Sequence, residues 1–100
     1  MKMIGLMSLE KDKAQLRQIF EENNVQIFSE MEITGHTLNT ITRYGWAAST
    51  QDVPMYSSLC FAIIPELEAH AVMDEIQAMA RRDTSGHPIR AFQLDVEKMI

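Results

Sequence analysis

Two stretches of this chain, Met3–Met7 (MIGLM) and Ser58–Ile64 (SLCFAII), are apolar without a break. A β-strand turns successive side chains to opposite faces, so an unbroken apolar strand needs cover on both. Two other stretches alternate instead. In Val25–Thr34, Ile27, Met31 and Ile33 are set against Phe28, Glu30 and Glu32. In Ile89–Val96, Phe92, Leu94 and Val96 are set against Ala91, Gln93 and Asp95. Each of these two reads as a strand with one apolar face and one largely polar face.

Within each half the period changes to that of a helix. Leu9, Leu16, Ile19 and Phe20 share one helical face, with Ser8 as the expected N-cap, Glu10 and Asp12 near the positive end, and Asn23-Asn24 as the stop. The second helix is expected to take Pro65 into its first turn, with Glu66 and Glu68 beside it. Ala69, Val72, Met73, Ile76, Met79 and Ala80 make its apolar face, and it closes on Arg81-Arg82. Gly35 to Ser57, with Gly45, Pro54 and many hydroxyl residues, holds neither period and reads as a long loop. A shorter loop spans Asp83 to Pro88.

The order is therefore β-α-β-β-α-β over residues 1–100, one α+β domain of ferredoxin-like plan. Its four-stranded antiparallel sheet has two helices on one face and a long loop between strands 2 and 3. That plan places the first and third strands centrally and the other two at the edges. Right-handed crossovers put both helices on one side. The far side of the central strands is then apolar with nothing over it, the mark of an interface. Met99, Ile100 or part of the long loop are the alternative cover. The chain has little length to spare for that, so an oligomer is expected.

Composition removes several classes. Hydrophobic and charged residues, 46% and 23%, are those of a globular protein. One cysteine leaves no internal disulfide and fits a reducing, cytoplasmic setting, and the N-terminus reads as no signal peptide. Nothing approaches the roughly 20 apolar residues of a membrane span, so no membrane insertion is expected. A net charge of −5 is wrong for a general nucleic-acid binder. Cys60, inside an apolar strand, reads as a buried inert thiol. His70 reads as a surface histidine, and Glu30 and Glu32 as a solvated strand edge. With no visible nucleophile–base pair, the chain is not read as an enzyme.

The opening strand and helix (LMSLEKDKAQLRQIFEENNV), the strand VQIFSEMEITGH ending at a glycine, and the last segment AFQLDVEKMI resemble the nitrogen-regulatory PII-like signalling proteins. In that family the glycine opens a mobile T-loop, and the last strand carries an I/A-F-x-x-x-V-E pattern. The resemblance implies a homotrimer with sheet faces turned inward and a small-molecule effector in the clefts between subunits. It also implies that a transporter or enzyme is engaged through the long loop. Carried onto this chain, the ligand-binding positions are Gly35, His36, Gly86, His87 and Arg90. Arg43, Tyr44 and Trp46 would meet the partner.

The departure lies before the last strand. PII proteins proper read G-D-G-K there, and this chain reads Gly86-His87-Pro88-Ile89-Arg90, keeping only the basic residue. Proline lacks the N–H that a phosphate loop uses. The expected effector is a small anion, an adenine nucleotide among the candidates, with no required cofactor. Arg90 is its main contact, because a guanidinium holds phosphate bidentately. The alternative is a divalent-metal or metal-tolerance module in which His36 and His87, with Glu30 or Glu32, are the ligands. A small dimeric ferredoxin-like enzyme ranks third.

Overall fold

The computed structural model describes residues 1–36 and 56–100. Strand β1 (Lys2–Ser8) leads through a single 3₁₀ turn, Glu10–Asp12, into helix α1 (Lys13–Glu22). Then come β2 (Ser29–Glu32), β3 (Ser58–Ile64), helix α2 (Glu66–Arg82) and β4 (Arg90–Asp95). The strands form one antiparallel sheet in the order β2-β3-β1-β4, so the two unbroken apolar strands are its centre, as their pattern requires. Among the described residues no helix is long and apolar enough to cross a membrane.

Cross-strand pairs sort the side chains by face. Ile4 lies opposite Ala62, and Leu6 opposite Cys60 and Ala91. These sit under the helices, packed with Leu16, Ile19 and Phe20 of α1 and Ala69, Val72 and Ile76 of α2. Ile4, Leu6, Phe20 and Val72 are wholly buried. The other face carries Met3 and Met7 of β1, Leu59, Phe61 and Ile63 of β3, and Phe92 and Leu94 of β4, all at least partly exposed. Gly5 sits between them because the Phe92 ring lies flat across it. A Cβ at Gly5 would overlap that ring.

Element boundaries differ from the sequence expectation in physically clear ways. Ser8 does not cap α1. It ends β1, its carbonyl accepting from Ser57 N–H at 3.0 Å. Leu9 is extended and buried, so it joins the core from outside the helix. Pro65 precedes α2 rather than entering it, and its carbonyl accepts the Ala69 N–H at 3.0 Å.

The largest difference is β2, expected over Val25–Thr34 and formed by four residues. Asn24, at φ 60, turns the chain left-handed, and the Val25 N–H closes α1 on the Phe20 carbonyl at 2.8 Å. Val25 is thus spent on the core, Phe28 packs against Phe20 with ring centroids 4.9 Å apart, and Ile27 is 85% exposed. Glu30 is not a merely solvated edge residue, since Arg17 of α1 forks onto both its oxygens at 2.9 and 2.8 Å.

Candidate functional site

One end of the sheet gathers the chemistry. There β1 and β2 stop and β3 and β4 begin, so the 83–90 loop, the start of α1 and the described residues on either side of 37–55 come together. The pairing runs on past the strands: Ile33 N–H donates to the Ser57 carbonyl at 3.0 Å, as Ser57 N–H does to Ser8. Both roots of the long segment are therefore fixed to the sheet.

From the β3 root, the Tyr56 hydroxyl donates to the Pro88 carbonyl at 2.5 Å. Its ring meets His87 edge-on, centroids 5.9 Å apart. Burial pushes the Tyr56 phenol above its usual range, opposed by the charge of Arg90 and assisted by that of Asp83. Tyr56, Asp83, His87 and Arg90 thus share one neighbourhood. Arg90 is exposed and paired opposite Met7, on the open side of the sheet.

The 83–90 loop is tied by its own side chains. Asp83 Oδ1 accepts the Ser85 N–H at 2.6 Å, and Ser85 Oγ accepts the His87 N–H at 3.1 Å. Gly86, at φ +82, supplies the left-handed bend that an L side chain resists. Lys11 Nζ donates to Asp83 Oδ2 at 3.3 Å and to Asp12 Oδ1 at 3.0 Å, holding the loop against the start of α1. The hydrogen bonds to Ser85, with the Lys11 ammonium beside them, keep the Asp83 carboxyl below the usual carboxylate range. The Lys11 ammonium is raised in turn, chiefly by its bond to Asp12. A hollow of about 330 Å³ lies here, lined by Lys11, Asp12, Gln15, Arg82, Asp83 and Ser85 among others.

Buried polar atoms nearly always find a partner. Among the described residues the side-chain atoms that do not are Ser8 Oγ, Asp12 Oδ2 and His87 Nδ1. All three belong to segments that meet at this end. Cys60 is different: burial pushes its thiol up to about 11, which leaves no reactive thiolate at neutral pH.

Of the residues singled out in the sequence, His87 and Arg90 are brought together through Pro88 and Tyr56, and Gly86 makes the bend beside them. Gly35 and His36 lie just beyond the Ile33–Ser57 bond, Gly35 half-buried and His36 exposed. No hydrogen bond joins His36 to His87, and the described residues hold no group of three metal-ligand side chains. Arg43, Tyr44 and Trp46 lie outside the described residues. Tyr56, Lys11, Asp83 and Ser85 went unremarked as site residues. The D-x-S spacing of Asp83 and Ser85, in which short polar side chains fold back onto backbone N–H groups, was the available signal. Tyr56 gave none, since its partner is a backbone carbonyl 32 residues away.

No family model matches the sequence, and no curated protein does. Solved structures do share the fold. CPII, a nitrogen-regulatory PII-like protein from Thiomonas intermedia, bound to ADP, AMP and bicarbonate, superposes with a TM-score of 0.64 at 10% identity, over 99% of this chain and 94% of that one. Its apo form gives 0.64 over 95% and 89%. A PII-like signalling protein from Thermus thermophilus gives 0.65 at 10% identity, over 95% and 84%. The fold is PII-like.

Proposed function

We propose that this chain, whose fold is PII-like, is a regulatory protein that takes a small anionic effector at the loop end of its sheet and signals through the 35–57 segment. The observation that carries the reading is the convergence of His87, Pro88 and Arg90 with Tyr56, the residue at which that segment returns to the sheet. A ligand gripping the 87–90 stretch acts on the root of the segment through one hydrogen bond. It shifts the segment only insofar as it binds one arrangement better than another. The polar atoms of Ser8, Asp12 and His87 without partners support a site here. So does the CPII structure, which holds ADP, AMP and bicarbonate. An adenine nucleotide is accordingly the first effector class to test. Arg90 supplies charge, Gly35, His36, Gly86 and His87 the walls, and Arg43, Tyr44 and Trp46 the contact with a transporter or enzyme.

The active form in this reading is a homotrimer joined through the open sheet face, which places the effector between subunits. Met3, Phe61, Phe92 and Leu94 support it, being apolar and at least partly exposed among the described residues. The role is regulatory rather than catalytic, and the protein works in the cytoplasm.

The test is calorimetric titration with AMP, ADP, ATP and bicarbonate on wild type and Arg90→Ala, alongside light scattering. Binding that weakens at least about tenfold in Arg90→Ala, the loss expected of one charge-assisted contact, supports the reading. A micromolar monomer indifferent to every ligand sinks it. No specific observation favours the metal or enzyme alternatives.

A further inference from the structure

An anion arriving beside Arg90 has two kinds of donor to find on the 83–90 loop, backbone N–H groups and cationic side chains. Turns grip phosphate when successive N–H groups are free to converge on its oxygens. Here two of them are taken and a third position has none. The Ser85 N–H is taken by Asp83 Oδ1 at 2.6 Å, the His87 N–H by Ser85 Oγ at 3.1 Å, and Pro88 has none. The Lys11 ammonium, which reaches this loop, is shared between Asp83 and Asp12. The Asp83 side chain, only 7% exposed, thus makes both contacts that a phosphate oxygen would seek, one to a backbone N–H and one to an ammonium. It is an anion tethered in place.

Resting on the effector-binding reading above, we infer that Asp83 is a specificity-determining residue. It occupies the Ser85 N–H and the Lys11 ammonium from within, so the site takes a compact anion with one charged group and disfavours a polyphosphate tail. Arg90 suffices for one phosphoryl or carboxylate group, which its planar fork holds bidentately. A second or third phosphate finds no spare donor among Ser85, His87 and Pro88, and it meets the Asp83 charge besides. Compact anions of this kind are nucleoside monophosphates and ions of carbonate size.

The experiment titrates the full-length protein calorimetrically with AMP, ADP and ATP and, without a nucleoside, with inorganic phosphate and tripolyphosphate. It compares wild type, Asp83→Ala and Asp83→Asn. In wild type, affinity stays flat or falls from AMP to ATP and from phosphate to tripolyphosphate. In Asp83→Ala, the ATP-to-AMP affinity ratio rises about tenfold or more, the worth of one recovered charge-assisted contact. Asp83→Asn keeps an acceptor for Ser85 N–H and loses the charge, so it falls between, and it decides the matter if the alanine variant does not fold. A gain of binding is not something misfolding produces.

Wild-type affinity that climbs with phosphate number, or a ratio unmoved in both variants, overturns the inference. Wild type that binds none of these anions counts against the effector reading. The inference then stands only if an Asp83 variant takes up tripolyphosphate, and it falls if neither does.

Discussion

Ile4 and Leu6 are wholly buried beneath α1 and α2, whereas Met3 and Met7, on the same strand, look out from the opposite face with neither described helix over them. On β3 the same division separates Cys60 and Ala62 from Leu59, Phe61 and Ile63. Both faces are apolar, and only one is covered by the described residues. The helix-covered face, with Phe20 and Val72 closing it, supplies the burial that folds a chain of this size. The open face adds little to that, because its side chains stay partly in water. In the proposed trimer its apolar character answers a different requirement, the meeting of copies. If the proposed trimer forms, the two faces divide folding from assembly, and each can be altered while the other is watched.

The largest effect is expected on the covered face. Phe20→Ala removes a fully buried ring that also braces Phe28, and it should lower unfolding free energy by about 3–5 kcal/mol in urea melts. Next comes Phe61→Asp at the centre of the open face, opposite Gly5 and Ser29. A charge at the heart of an apolar interface should raise the dissociation constant of the assembly by a factor on the order of 100 or more, the loss typical of a hot spot. The circular dichroism of the diluted chain should barely change. If Phe61→Asp unfolds the chain as thoroughly as Phe20→Ala, the division between the faces fails.

The covered and open faces were legible in the sequence, since period two against no period separates edge strands from central ones, and the crossover rule then uncovers one face. The helices were legible for the same reason, each burying a stripe at 3.6-residue spacing. Their starts were not. Ser8 has the right side chain for a cap, but a ladder hydrogen bond from Ser57 claimed it for β1. Val25 and Ile27 fit a strand locally, and the closing turn at Asn24 outweighed that fit by sending the Val25 N–H back to α1. At the site, Arg90 and His87 were visible by type and position. Tyr56 and Lys11 were not, because what they do depends on partners 32 and 72 residues away.

Gly5→Ala probes the open face more gently. The added methyl would overlap the Phe92 ring, which sits on an edge strand and can swing aside. The cost to the chain should therefore be at the low end of overpacking, about 1 kcal/mol. The displaced ring roughens the face that copies would share in the proposed trimer, so assembly measured by sedimentation should weaken more than the melt does. Equal weakening of both would tie Phe92 to the fold rather than to the interface.

The smallest effect belongs to the Arg17–Glu30 fork, which pins α1 to the edge strand β2 on the covered side. Arg17 holds the Glu30 carboxyl below its usual range in the folded protein. The folded state therefore keeps Glu30 ionised at pH values where the unfolded chain would take up a proton. Its contribution is fully present above the unfolded carboxyl pKa of about 4.3. It fades as pH falls through the lower, folded value. Both side chains are partly exposed, so the contribution is modest at any pH. The expected signature is a slightly lower urea midpoint for Glu30→Gln than for wild type at neutral pH, with the gap closing in acid as wild type loses the same charge. Addition of salt should narrow the gap only in part, because a bidentate fork keeps its hydrogen bonds when its long-range attraction is screened. A gap that persists unchanged into acid would mean that Glu30 holds the helix by packing and not by charge, leaving the covered face apolar in its energetics right to its rim.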